Sequence, residues 1–174
     1  MSRDEIRTKL QGAIDYLNAN PADARYTDSV AVARLVDIEG LKVSVEGPDR
    51  AQITTDMPTS VGGTNTSASP GWYLRAAEAS CVATLIAMRA AHQGLTLDVV
   101  EVTVDSESDD RGITGADDSV PGGPLSARVA VRLRSESADS ATLTAIANWA
   151  VDHCPVTDAV KRAIPLTLEV DTDT

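Results

Sequence analysis

Cys81 and Cys154 are the only two thiols in the chain. A cysteine does chemistry as its thiolate, so the setting of each sulfur decides what it can do. Cys154 stands directly before Pro155 and a short helical pattern, near a helix start. Unpaired N–H groups and the positive helix end favour a thiolate there. His153 beside it either assists that sulfur or serves as a helix-end residue next to the negative end of the preceding helix. Cys81 falls in the middle of a long helical pattern, where the helix dipole offers nothing. Glu78 lies one turn earlier and disfavours a thiolate if it shares that face. That carboxylate reads either as a proton acceptor for Cys81 or as a partner of an arginine, since an unpaired buried carboxylate is costly. Local physics therefore makes Cys154 the more acidic thiol and Cys81 a small buried hydrophobe. A redox pair and two structural cysteines both remain open at this level.

Other candidate chemistry is weaker. His153-Cys154 is a single adjacent pair and His92 stands alone, so metal-ligand spacing is missing and no metal is expected. The loop Pro58 to Ser69 is rich in Gly, Ser and Thr before a helix, as in phosphate cradles. It lacks the Walker ending and the dinucleotide glycine spacing, and reads as an approach loop. Residues 105–124 are acidic and glycine-rich, without the ligand order of a calcium loop, and read as a solvated connection.

The elements that must position the thiols follow from periodicity. Ser2-Arg3-Asp4-Glu5 is a capping box opening an amphipathic helix that ends near Asn20-Pro21. Alternation over Val30–Ile38, Leu41–Val45 and Arg50–Met57, with turns between, predicts a three-stranded antiparallel meander. Ser69 as N-cap, Pro70 at the first position and Gly94 as stop bound a long helix, apolar on nearly every face and hence expected to be buried. Strands are predicted over Leu97–Val104 and Leu125–Arg134, helices over Ser137–His153 and Val156–Ala163, and a last strand through Leu166, Leu168 and Val170. This order predicts an α+β fold: antiparallel β-sheets around a buried central helix, in a single domain over 1–174.

Composition narrows the function. A net charge of −11 over 174 residues argues against nucleic-acid and anionic-membrane partners, which need basic patches. Aromatics are 3% with no Phe, so the core is aliphatic. Met1 to Leu10 is charged, without the apolar region of a secretory signal, which points to the cytoplasm. There a structural disulfide is not expected.

The ordered set resembles the OsmC/Ohr family. It comprises the meander, Gly62-Gly63, Ser69-Pro70, an alanine-rich helix carrying Cys81, Asp110-Arg111-Gly112 with Gly115, and His153-Cys154-Pro155-Val156. The resemblance covers about residues 30–171, leaving the helix of residues 1–20 as an addition. It implies an intertwined homodimer with sites at the subunit interface. It also implies a thiol-dependent peroxidase acting on organic hydroperoxides or hydrogen peroxide, without metal or organic cofactor. Cys81 is then the peroxidatic thiol and Cys154 the resolving one, with an external dithiol or lipoyl-type reductant. Peroxidase members carry Glu directly after the helix-opening proline, where this chain has Gly71, and an upstream Arg, which Thr55–Ser69 lacks. Arg34 and Arg50 are the candidates to replace that arginine, or are surface charges. These departures resemble the less characterised OsmC-like branch. The alternative function is a non-enzymatic, stress-related binding or structural dimer with spectator cysteines.

Overall fold

The computed structural model describes residues 2–172. Helix α1 (Arg3–Ala19) opens on the expected capping box: the Ser2 hydroxyl accepts from the Glu5 N–H at 3.2 Å, and the Ser2 N–H donates to the Glu5 carboxylate. It lies on the body of its own chain. Gln11 hydrogen-bonds His92 at 3.0 Å, and Arg3 bonds Thr96. Strands β1 (Val32–Leu35), β2 (Val43–Glu46) and β3 (Gln52–Thr55) form the antiparallel meander, with Val32 opposite Glu46 and Val43 opposite Thr55. The first strand is shorter than its apolar alternation. Val36 and Ile38 lie in the turn region that follows, both exposed.

Helix α2 (Pro70–His92) has Ser69 as its N-cap, accepting from the Trp72 N–H at 3.3 Å. Gly94 takes a φ of 74°, the left-handed conformation that ends a helix with least strain. The helix is not buried all round. Glu78, Val82, Ile86, Ala90 and Ala91 are buried, whereas Trp72 and Leu74 in the first turns are 50% and 40% exposed. Strands β4 (Val99–Glu107) and β5 (Ser126–Arg134) pair antiparallel, Val99 opposite Arg134 and Glu107 opposite Ser126. Their alternation turns Val102, Val129, Val131 and Leu133 onto the core. Between them the acidic segment holds one short helix, α3 (Asp110–Thr114), with Arg111 bridging Asp109 and Asp117.

Helices α4 (Ser140–Asp152) and α5 (Pro155–Lys161) close the core. Val82, Ile86 and Ala90 of α2 meet Ile146 and Ala150 of α4, and Cys154 at the α4–α5 corner completes the cluster. The last predicted strand does not form. Leu166, Leu168 and Val170 keep their alternation but are 93%, 83% and 73% exposed. A strand needs a neighbour to take its backbone hydrogen bonds, and none lies beside this segment among the described residues.

The loop before α2 is organised by a carboxylate rather than built for phosphate. Asp56 is buried and accepts the N–H groups of Met57, Thr64 and Thr66, and the hydroxyls of both threonines. A side chain at Gly63 would collide with the Met57 backbone, so the close wrap of this loop requires glycine there. The Thr64 hydroxyl, joined by the Thr66 and Met57 N–H groups, holds the Asp56 carboxyl far below the usual carboxylate range. A lowered folded-state value stabilises the protein fully above the ordinary carboxylate range, and that contribution is lost as pH falls through the folded value. Asp56→Asn sets an amide against a ring of donors. Its melting temperature is expected to lie below the parent's at neutral pH and to converge with it in strong acid. Equal melting temperatures at neutral pH would sink this account.

Candidate functional site

The site lies where the middle of α2 meets the α4–α5 corner. Cys154 caps α5: its sulfur accepts the Thr157 N–H at 3.4 Å. Pro155 occupies the first helical position and has no N–H to offer. The first free amides are therefore those of Val156 and Thr157, and both act on the Cys154 sulfur. The Val156 N–H acts on Cys81 as well. The corner sequence Cys-Pro-Val-Thr thus delivers backbone donors to both thiols. Cys81 packs against the cluster that holds Cys154, and each thiol acts on the other's ionisation.

Their settings differ. Cys154 is fully buried, whereas Cys81 is only partly so. Burial pushes the Cys154 thiol up, but the Thr157 hydroxyl and N–H, the Cys81 thiol and the Val156 N–H together bring it below the ordinary cysteine value. For Cys81 the balance runs the other way: burial raises it, and Cys154 raises it further by hydrogen bonding and by charge. Cys154 is thereby the more acidic of the two thiols.

Glu78 is brought to the same place. It is 4% exposed, and one carboxylate oxygen accepts the Thr157 hydroxyl at 2.9 Å. Its partner is thus a buried threonine on α5, not an arginine. Thr157 is the residue that periodicity misses. The signal for it is positional: once Cys154 is the N-cap, the residue three further on supplies the capping N–H. A cleft of about 660 Å³ opens over Glu78 and Thr157, walled by Ala127 and Val129 of β5 and by residues of α4 and α5.

Arg34 and Arg50 lie elsewhere in this chain. Arg34 sits on β1 and pairs with Glu46 at 3.3 Å. Arg50 is exposed in the β2–β3 connection with a φ of 65°. Among the described residues, burial, the partner thiol, Val156 and Thr157 shift the two thiols, with no guanidinium among those causes. His153 is also turned to other work: its ring stacks on Trp149 at 4.2 Å and bonds the Trp149 carbonyl at 2.8 Å. Among the described residues no cluster of His, Cys, Asp and Glu is placed to hold a metal ion, and no helix is long and apolar enough to cross a membrane.

Solved structures share this architecture. An OsmC-like protein from Mycoplasma pneumoniae superposes with a TM-score of 0.64 at 14% identity, covering 80% of this chain and 91% of that one. An organic hydroperoxide resistance protein OsmC from Legionella pneumophila gives 0.58 at 20% identity, covering 79% and 91%. The organic hydroperoxide resistance protein OhrB of Bacillus subtilis gives 0.51 at 19% identity, covering 79% and 93%. At such identities the likeness carries the fold alone. Among curated proteins no sequence match is found. The family model for OsmC-like proteins matches residues 63–169, from the glycine loop through both cysteines. The chain belongs to the OsmC-like protein family.

Proposed function

We propose that the protein is a thiol-dependent peroxidase that reduces organic hydroperoxides or hydrogen peroxide through Cys81 and Cys154. The observation that carries this reading is the packing together of two thiols of unequal acidity and unequal exposure, each acting on the other's ionisation. Cys81, the sulfur that solvent reaches, meets the peroxide. Its proton passes to the neighbouring Cys154 sulfur when that is ionised. The Cys81 thiolate then attacks the terminal peroxide oxygen, the O–O bond breaks, and the alkoxide takes a proton from solvent to leave as alcohol. Cys81 is now a sulfenic acid. Cys154, once deprotonated, attacks the Cys81 sulfur; the S–O bond breaks, hydroxide leaves as water, and a disulfide remains. An external dithiol, of lipoyl or similar type, restores both thiols by exchange. The hydroperoxide resistance named for the Legionella and Bacillus proteins accords with this chemistry.

A second reading, a non-enzymatic binding dimer with spectator cysteines, draws on one observation: the Cys81 thiol is raised by burial and by Cys154. One experiment separates the two. The reduced protein is mixed with one equivalent of cumene hydroperoxide, and thiols are counted with mass spectrometry of the product. The peroxidase reading expects both thiols to vanish with a Cys81–Cys154 crosslink. Cys81→Ser should be inert, and Cys154→Ser should stop at a trappable sulfenic acid. Survival of both thiols in excess peroxide would leave only the binding dimer.

The working unit is proposed to be a homodimer, as is typical of the family. The meander leaves Val32, Leu35 and Ile53 at least 38% exposed, and the first turns of α2 and the alternating segment Leu166–Val170 are open as well. A three-stranded sheet that leaves apolar side chains exposed is marginal alone, and an extended apolar segment needs a sheet edge. Light scattering on the full chain is expected to give twice the chain mass. Leu168→Asp should shift the population towards monomer. A parent that stays monomeric at micromolar concentration would overturn the dimer.

A further inference from the structure

We propose that Glu78, acting through the Thr157 hydroxyl, takes the proton that Cys154 must shed before it attacks the oxidised Cys81. The proposal rests on the peroxidase reading for its place in the cycle, but its geometry stands by itself. Cys154 is fully buried, so its proton has no direct path to water. Thr157 bridges the two groups: its N–H donates to the Cys154 sulfur at 3.4 Å and its hydroxyl donates to the Glu78 carboxylate at 2.9 Å, and the hydroxyl also acts on the ionisation of that sulfur. A hydroxyl has one proton to give. When Cys154 hands its proton to the Thr157 oxygen, the hydroxyl's own proton moves to Glu78. The sulfur is left as a thiolate, the threonine is unchanged, and the carboxylate has become a carboxylic acid.

Glu78 lines the cleft, which gives that proton an exit to solvent. The other charged groups there are Asp152 of α4 and Lys161 of α5, both exposed; from β5 only Ala127 and Val129 face the cleft. A buried carboxylate bonded to a threonine, with no cation on it, is a costly arrangement for packing alone. A proton acceptor one hydroxyl away from a buried thiol accounts for it. Glu78 is thus a positioning residue for the proton, and Cys154 remains the group that meets the reacting sulfur.

The test runs the second step without peroxide. Methyl methanethiosulfonate caps Cys81, the only reachable sulfur, as a methyl disulfide. Cys154 then attacks Cys81, methanethiolate leaves and takes a proton, and the crosslink is followed by quenched mass spectrometry. The parent rate is expected to be flat across neutral pH. General-base transfer is worth at least about 100-fold, so Glu78→Gln and Thr157→Val should each slow crosslinking by about that factor. Below the thiol's own range their rates should climb by about tenfold per pH unit, because hydroxide is then the only base. The double variant should be no slower than either single one, since both remove one path. Thr157→Ser, which keeps the hydroxyl, should restore the parent rate and profile. The Ser and Val pair also tests the path if Glu78→Gln fails to fold. Parent-like rates with flat profiles in Glu78→Gln and Thr157→Val, or losses that multiply in the double variant, would overturn the relay. Peroxide inertness with the expected crosslinking would discard the peroxidase reading and keep the relay. Peroxide turnover with parent-like crosslinking in both variants would do the reverse.

Discussion

The packing of Cys81 against the buried cluster that holds Cys154 ties the chemistry of this protein to its core. Cys154 belongs at once to the aliphatic cluster of Val82, Ile86, Ile146 and Ala150 and to the first turn of α5. The core fixes the height of α2 against α4, and that height sets whether Cys81 meets the corner at all. The cap fixes which way the Cys154 sulfur points. Alanines along α2 let neighbouring elements approach its backbone, and Ala90 and Ala91 are buried in such contacts. Fully burying an Ile or Val contributes about 1.5–3 kcal/mol each, so the few residues around the sulfurs hold them firmly.

The chain carries more acid than base, with 26 Asp and Glu against 15 Lys and Arg. Each of the eight ion pairs found among the described residues involves an arginine on the outer surface. At the thiols the stabilising groups are amide and hydroxyl dipoles from two consecutive residues of α5, Val156 and Thr157. Buried carboxylates are treated in the same way. Asp56 is satisfied by Thr64 and Thr66, and Glu78 by Thr157. Threonine takes the place that a basic residue holds in many buried sites.

Much of the fold was legible because periodicity and caps act locally. Ser2, Ser69 and Gly94 mark helix ends by their own conformational preferences, and the meander follows from turns at Gly40 and Gly47. The difference in acidity between the thiols was also local, since Pro155 announces the helix start beneath Cys154. What failed depended on partners distant in sequence. The alternation of Leu166, Leu168 and Val170 does not tell whether a sheet edge takes the segment, and among the described residues it pairs with none. The breadth of apolar residue on α2 does not tell that its first turns stay open. Glu78 and Thr157 are 79 residues apart, so their bond becomes visible only when α2 and α5 are packed.

One consequence of the Cys-Pro-Val-Thr corner concerns ionic strength. A thiolate held by a surface arginine weakens as salt rises, because mobile ions screen the charge over about 8 Å at physiological salt. The donors at Cys154 are fixed dipoles in contact with a fully buried sulfur, with no room for an ion between them. Their effect is of short range and travels with the backbone. The readiness of this thiol pair is thereby uncoupled from the salt around it, and is lost only when the α4–α5 corner itself comes apart.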